Sequence, residues 1–136
     1  MTSTQIALRL GLAASLVVGG FSHAYLYVHG YQHIPMVGPA FLVQASVSFA
    51  MALLLLIGGP WWLRWAAAGV AGGSLVAFAL SRTVGVFGFS ERGWEPSPYA
   101  VLSVAAEVVT VVLWAVVAVG VVGRRARPAE YATGQE

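Results

Sequence analysis

Four long apolar stretches, at about residues 6–28, 39–57, 61–84 and 98–122, constrain this chain more than any other feature. Arg9, Arg64, Arg82 and Glu107 are the only charged residues that interrupt them. Each stretch is close to or above the ~20 residues a helix needs to cross the hydrocarbon core. The chain is therefore read as all-α, an integral membrane four-helix bundle. Of 136 residues, 59% are hydrophobic and 9% charged, so little is left for a soluble domain. One bundle over residues 1–127 and a polar, disordered tail over 128–136 account for the chain.

Charge supports that reading and excludes several functions. All seven basic residues are Arg, and Arg124, Arg125 and Arg127 follow the last span. That cluster is a membrane-topology signal with a weak affinity for anionic headgroups, not a nucleic-acid footprint. The absence of Cys removes thiol catalysis, disulfides, Cys-ligated zinc and iron–sulfur clusters. Lys, Asn and Asp are missing too. The skew towards Ala, Val, Gly and Arg is that of a high-GC bacterial genome, which points to a multi-pass protein of the bacterial cytoplasmic membrane. There is no HExxH, no G-x-S-x-G and no Ser–His–acid order with credible spacing, so an enzyme is the less favoured class.

The Arg distribution orients the spans. Arg9, Arg64 and the Arg124–Arg127 cluster mark cytoplasmic ends, while residues 29–38 contain no Arg and residues 85–97 balance Arg92 against Glu91 and Glu95. Positive-inside then predicts an up-down-up-down bundle with both termini cytoplasmic. Pro39 suits the first turn of the second span, and Ser97-Pro98 reads as an N-cap followed by Pro at the first helical position. Gly58-Gly59-Pro60 reads as a tight cytoplasmic turn. Trp61, Trp62 and Trp65 form an inner aromatic belt; Tyr25, Tyr27, Tyr31, Trp94 and Tyr99 form an outer one. Gly69 with Gly73, and Gly11 with Ser15 and Gly19, are small-residue series expected to pack inside the bundle, with a dimer interface as the alternative. Ser22-His23-Ala24 resembles a signal-peptidase site, but the apolar run continues to Val28 and favours a retained first span.

The ionisable and amide side chains inside the spans locate the candidate site. Such groups are costly in a bilayer and face the bundle interior. At 1.5 Å per residue, Glu107 lies roughly 13 Å below the outer end of its span, His23 about 10 Å and Gln44 about 8 Å. Arg82 sits near the outer end of the third span and is long enough to reach inward or snorkel outward. The inner half is assigned only Ser15, Thr110 and Trp114 as polar-capable side chains. The expectation is an outward-facing ligand pocket of His23, Gln44, Arg82 and Glu107, built on a Glu107–Arg82 pair. A buried network that merely fixes helix register is the competing reading.

Two connections add weaker signals. His29-Gly30-Tyr31-Gln32-His33-Ile34-Pro35-Met36 brings two imidazoles and a thioether together, a donor set suited to copper or zinc. His29 and His33 are the metal candidates, on the condition that a helix runs through Gly30. A b-type haem takes two buried axial ligands, and only His23 is clearly buried, so a flat quinone-like ligand fits better than haem. Ser81-Arg82-Thr83-Val84-Gly85-Val86-Phe87-Gly88-Phe89-Ser90-Glu91 is read first as a membrane-surface loop; its Gly–Phe alternation offers a re-entrant or interfacial segment that tucks back onto the bundle as the alternative. It is not a nucleotide-binding loop.

The stretches HGYQHIPMVGPAFLVQAS and LSRTVGVFGFSE resemble segments of small four-span membrane proteins of high-GC bacteria. The resemblance covers most of the bundle and implies the family's fold; it brings no activity or cofactor with it. The functional expectation is an accessory or binding component that holds a small ligand or ion, in contact with the lipid bilayer and with no nucleic-acid partner. A redox subunit binding quinone, haem or metal, a proton-coupled or ion transporter, and a structural subunit of a homo-oligomer or larger complex are the alternatives.

Overall fold

The structure, a computed structural model, describes residues 1–125. It contains four helices, each long and apolar enough to cross a membrane: α1 Ser3–Leu26, α2 Val37–Leu56, α3 Leu63–Thr83 and α4 Tyr99–Arg125. Arg127 and the tail expected over 128–136 lie outside the described residues.

The helix ends follow from local chemistry. α1 starts ahead of its apolar stretch because Thr2 and Gln5 form a capping box, with each side chain taking the other's backbone amide (3.3 and 2.9 Å). After Leu26 the chain makes one wide π-turn, Tyr27–Tyr31, broken by non-helical backbone at His29 and Gly30. Pro39 falls in the first turn of α2, where no partner for an N–H is lost. Gly58, at φ 93°, ends α2, and Gly59 donates to the Leu54 carbonyl at 2.7 Å. A Cβ on Gly59 would stand 2.8 Å from that oxygen. Trp61 and Trp62 precede α3 as exposed turn residues. α4 begins at Tyr99, so Pro98 stands just before the helix instead of at its first position. The Ser97 amide is held by the Glu95 carboxylate at 2.8 Å.

α1 is the central helix: α2 and α4 pack along it, α3 packs mainly on α4, and α2 barely touches α3. Leu12, Ala13 and Leu16 of α1 meet Met51, Ala52 and Leu55 of α2 and Leu63 and Ala67 of α3 at the end nearest the short turn. A second cluster at the other end joins Leu26, Tyr31 and Val37, with Phe41, Phe89 and Tyr99 against it. No α3 residue takes part in that second cluster.

The two glycine series differ in what they face. A Cβ on Gly11 would meet Leu113 of α4 at 3.0 Å, and one on Gly20 would meet Ser48 Cβ and the Ala45 carbonyl of α2 at 3.2 and 3.3 Å. α1 therefore uses its small residues to draw both neighbours close. Gly69 and Gly73 have nothing within 4 Å of such a Cβ, so the intra-bundle packing expected of them is not formed. The reason is that α3 turns another face to the bundle, the one on which Ala67, Ala71 and Ser81 are buried.

Gly20→Val is expected to destabilise the protein by about 1–3 kcal/mol through overpacking. Gly73→Ala should instead be neutral or stabilise by up to ~1 kcal/mol, because it removes an open helix glycine. Denaturant titrations of the detergent-solubilised variants measure both, and the reverse ranking would contradict this packing.

Candidate functional site

Ser103 and Glu107 stand four residues apart on α4, so both side chains fall on the face that also buries Ala100, Ala106 and Thr110. That face meets α1, where a Cβ on Gly19 would stand 3.8 Å from that of Ala106, and His23 follows one turn further along. Ser74 arrives from α3. Glu107 is 3% exposed and His23 6%.

The hydrogen bonds among these four groups have clear directions. Ser74 and Ser103 both donate to Glu107 Oε1, at 2.5 and 3.1 Å. His23 Nδ1 lies 2.9 Å from the Gly19 carbonyl. A carbonyl only accepts, so Nδ1 carries a proton and the neutral ring presents Nε2 as its acceptor. Nε2 faces the Ser74 hydroxyl at 3.4 Å and Glu107 Oε1 at 3.7 Å. Among the described residues, Glu107 Oε2 has no hydrogen-bond partner.

These groups close one end of a cavity of about 160 Å³. Leu26, Val37, Phe41, Phe78, Phe89 and Ala100 supply its walls. Arg82 and Glu91 line it as well, but Arg82 is eight residues beyond Ser74 on α3, roughly 12 Å along the axis. The cavity thus has a buried polar end, an apolar middle and a charged rim.

The rim differs from the sequence expectation. Arg82 does not pair with Glu107. Its Nη1 donates to Glu91 Oε2 at 2.8 Å, its Nε to the Gly93 carbonyl at 2.8 Å and its Nη2 to the Glu95 carbonyl at 2.7 Å. Tyr31 donates to the other Glu91 oxygen at 2.5 Å. The guanidinium also lies 4.4 Å over Phe78. The physical reason is solvation. Several acceptors at the helix end satisfy an Arg there, whereas drawing it inward would desolvate a second charge.

The connection after α3 folds back onto the bundle, the less favoured of the two readings of its Gly–Phe alternation. Val86 and Phe89 exchange two backbone hydrogen bonds of 2.8 Å around Phe87 and Gly88, both at positive φ, which is a type I′ hairpin turn. The Glu91 amide then donates to the Ser81 carbonyl at 3.0 Å. Phe89 and Glu91 thereby cover the cavity.

Gln44 lies apart from the large cavity. With Ser15, Ser48 and Thr110 it lines a separate void of about 10 Å³ on the other side of Glu107. Ser15 and Thr110 bond to each other at 2.7 Å, and the apolar Leu12–Leu16–Met51 cluster lies beyond them. His29 stacks on Tyr25 at 3.8 Å, and Tyr25 on Tyr99 at 3.7 Å. The backbone break at Gly30 denies His29 and His33 a shared helix face. Among the described residues no three His, Asp or Glu side chains are placed to hold a metal.

Ser74 and Ser103 had no place in the site expected from the sequence; Tyr31 counted there only as part of the outer aromatic belt, and Glu91 only as a charge of the third connection. The spacing of Ser103 and Glu107 was a readable signal; for Ser74 there was none, because one serine in an apolar helix does not show which way it points. Compared with protein-family models, curated proteins and solved structures, the chain matches none.

Arg82→Gln is expected to release the cover. Charge-assisted bonds of this kind contribute ~1.5–3 kcal/mol, so amide exchange over residues 85–95 should accelerate at least about tenfold. Glu107→Gln should leave exchange in that segment unchanged. Hydrogen-exchange mass spectrometry in detergent reads both variants.

Proposed function

We propose that this protein is a non-enzymatic, small-ligand-binding component of the bacterial cytoplasmic membrane. Four spans run up-down-up-down, with both termini inside. Arg9 near the start of α1 donates to the Leu56 carbonyl at the end of α2, and Arg64 opens α3 beside them. The positive-inside rule assigns that end to the cytoplasm. The cavity then lies towards the outer face.

The observation that carries the binding role is the second carboxyl oxygen of the buried Glu107, which has no hydrogen-bond partner among the described residues and stands at the polar end of a cavity with an apolar middle. A few polar groups at one end of an apolar cavity fix a ligand's orientation, while the walls supply its affinity. A ligand donor that pairs with this oxygen contributes about 0.5–1.5 kcal/mol net, and up to ~3 kcal/mol where the carboxyl is charged. The size favours a compact ligand, because a cavity of roughly 150 Å³ lined by apolar side chains holds one benzene. A haem macrocycle is several times larger. The polar line inward from Glu107 stops at Ser15 and Thr110, which favours binding over conduction.

Two measurements test this reading. The protein isolated with its native lipid should yield a ring-sized small molecule in organic extracts at near-stoichiometric amount. Ser74→Phe, which fills the cavity, should lose it, whereas Ser74→Ala, which removes the same hydroxyl without filling the space, should retain it. Identical extracts from the unaltered protein and Ser74→Phe would overturn the binding role. For topology, the Cys-free chain permits single-cysteine mapping: Gln32→Cys and Arg92→Cys should react with an impermeant maleimide in intact cells. Trp61→Cys should react only after the membrane is opened.

A further inference from the structure

We infer that the cavity is filled sideways, from the hydrocarbon layer between α2 and α3, by a neutral single-ring molecule carrying a hydroxyl group. The inference rests on the binding role proposed above and adds to it a ligand class and a route.

The route follows from which sides are closed. Behind the cavity, α1 and α4 are packed together and contribute the buried Leu26 and Ala100. At the rim, Tyr31, Glu91 and Arg82 are joined by hydrogen bonds, and Arg82 also holds the Gly93 and Glu95 carbonyls. α2 and α3 meet where Met51 and Leu55 touch Leu63 and Ala67, near their short turn. They do not close again at the level of the cavity, although Phe41 of α2 and Phe78 of α3 both line it. Ala40 and Ala77 line it too and are exposed, so two methyl side chains edge the gap. A gap between two membrane-spanning helices opens onto lipid.

The ligand class follows from the same geometry. The volume holds one ring, and Tyr31, Phe41 and Phe89 present flat apolar surfaces, with Tyr31 and Phe41 stacked at 4.7 Å. Glu107 Oε2 lacks a partner among the described residues and accepts a donor. Molecules dissolved in hydrocarbon are neutral, because a charge is costly there; an O–H meets both conditions. Any apolar tail on the ring can lie in the gap between Ala40 and Ala77.

Dicyclohexylcarbodiimide, a lipid-soluble carboxyl reagent, tests the route in reconstituted vesicles, with the modified residues located by mass spectrometry. It should modify Glu107. A water-soluble carbodiimide should modify the exposed Glu95 and spare Glu107. Ala77→Trp and, independently, Ala40→Trp should slow the reaction at Glu107 and leave Glu95 unaffected. para-Butylphenol should protect Glu107 saturably, and butylbenzene should need at least about ten times the concentration, since it leaves the carboxyl unpaired. Faster reaction of Glu107 with the water-soluble reagent would overturn lateral entry, and equal protection by butylbenzene would overturn the hydroxyl. Either result leaves the co-purified molecule and its loss in Ser74→Phe untouched, so the binding role fails only by its own test.

Discussion

The burial of one carboxyl group organises much of this molecule. Glu107 is 3% exposed within an apolar helix, where an unsatisfied polar group is expensive. Its donors come from two helices: Ser103 from the preceding turn of α4 and Ser74 from α3. His23 is brought against the same oxygen from α1. One side-chain oxygen thus ties together three helices that otherwise meet through weakly directional apolar contacts. Such contacts set the distance between helices and leave rotation loosely defined. Hydrogen bonds to Glu107 remove that freedom, since turning α3 or α4 by one residue would carry a serine away from the carboxylate.

Small residues on α1 make this convergence possible. Gly11, Gly19 and Gly20 allow α4 and α2 to approach the helix from two sides, which leaves α3 to pack on α4. A helix bundle centred on α1 cannot also close tightly between α2 and α3 unless bulky side chains fill the interval. At the end near the short turn, Leu55 and Leu63 do so. At the other end Ala40 and Ala77 stand in the corresponding places, and the cavity results. The same glycine spacing on α3 has no such effect, because Gly69 and Gly73 face away from every neighbour. Gly-xxx-Gly records that a surface can be approached closely; it does not record by what.

The spans and the inward placement of His23 and Glu107 were readable in the sequence, because hydropathy and length act along the chain. So were the stop at Gly58-Gly59-Pro60 and the position of Pro39, which depend on local backbone chemistry; the return of the Val86–Phe89 turn was readable only as the less favoured alternative to a surface loop. What could not be read was azimuth. Depth along a helix placed Gln44 and Arg82 near Glu107, yet rotation puts Gln44 on a small void behind the carboxylate and Arg82 on the connection beyond it. The capping box of Thr2 and Gln5 lay outside the apolar stretch that drew attention, so the first helix begins earlier than expected.

The proposed binding role rests on a division between the two carboxyl groups. Glu91 is saturated: Tyr31 takes one oxygen and Arg82 the other. It serves to hold the connection over the cavity. Glu107 has no Arg beside it within the described structure; it faces the acceptor nitrogen of His23, and both hydroxyl donors fall on one oxygen. Had Arg82 reached Glu107, the pair would have been a closed structural unit with nothing left for a ligand to satisfy, and the cover would have lost its anchor. By keeping Arg82 at the rim, the fold separates the group that closes the cavity from Glu107 at its inner end, the group to which the proposed binding role gives recognition of the ligand. A ligand that donates to Glu107 completes a hydrogen-bond set that the protein alone leaves unfinished, which gives it a specific orientation in a space where apolar contact would permit several.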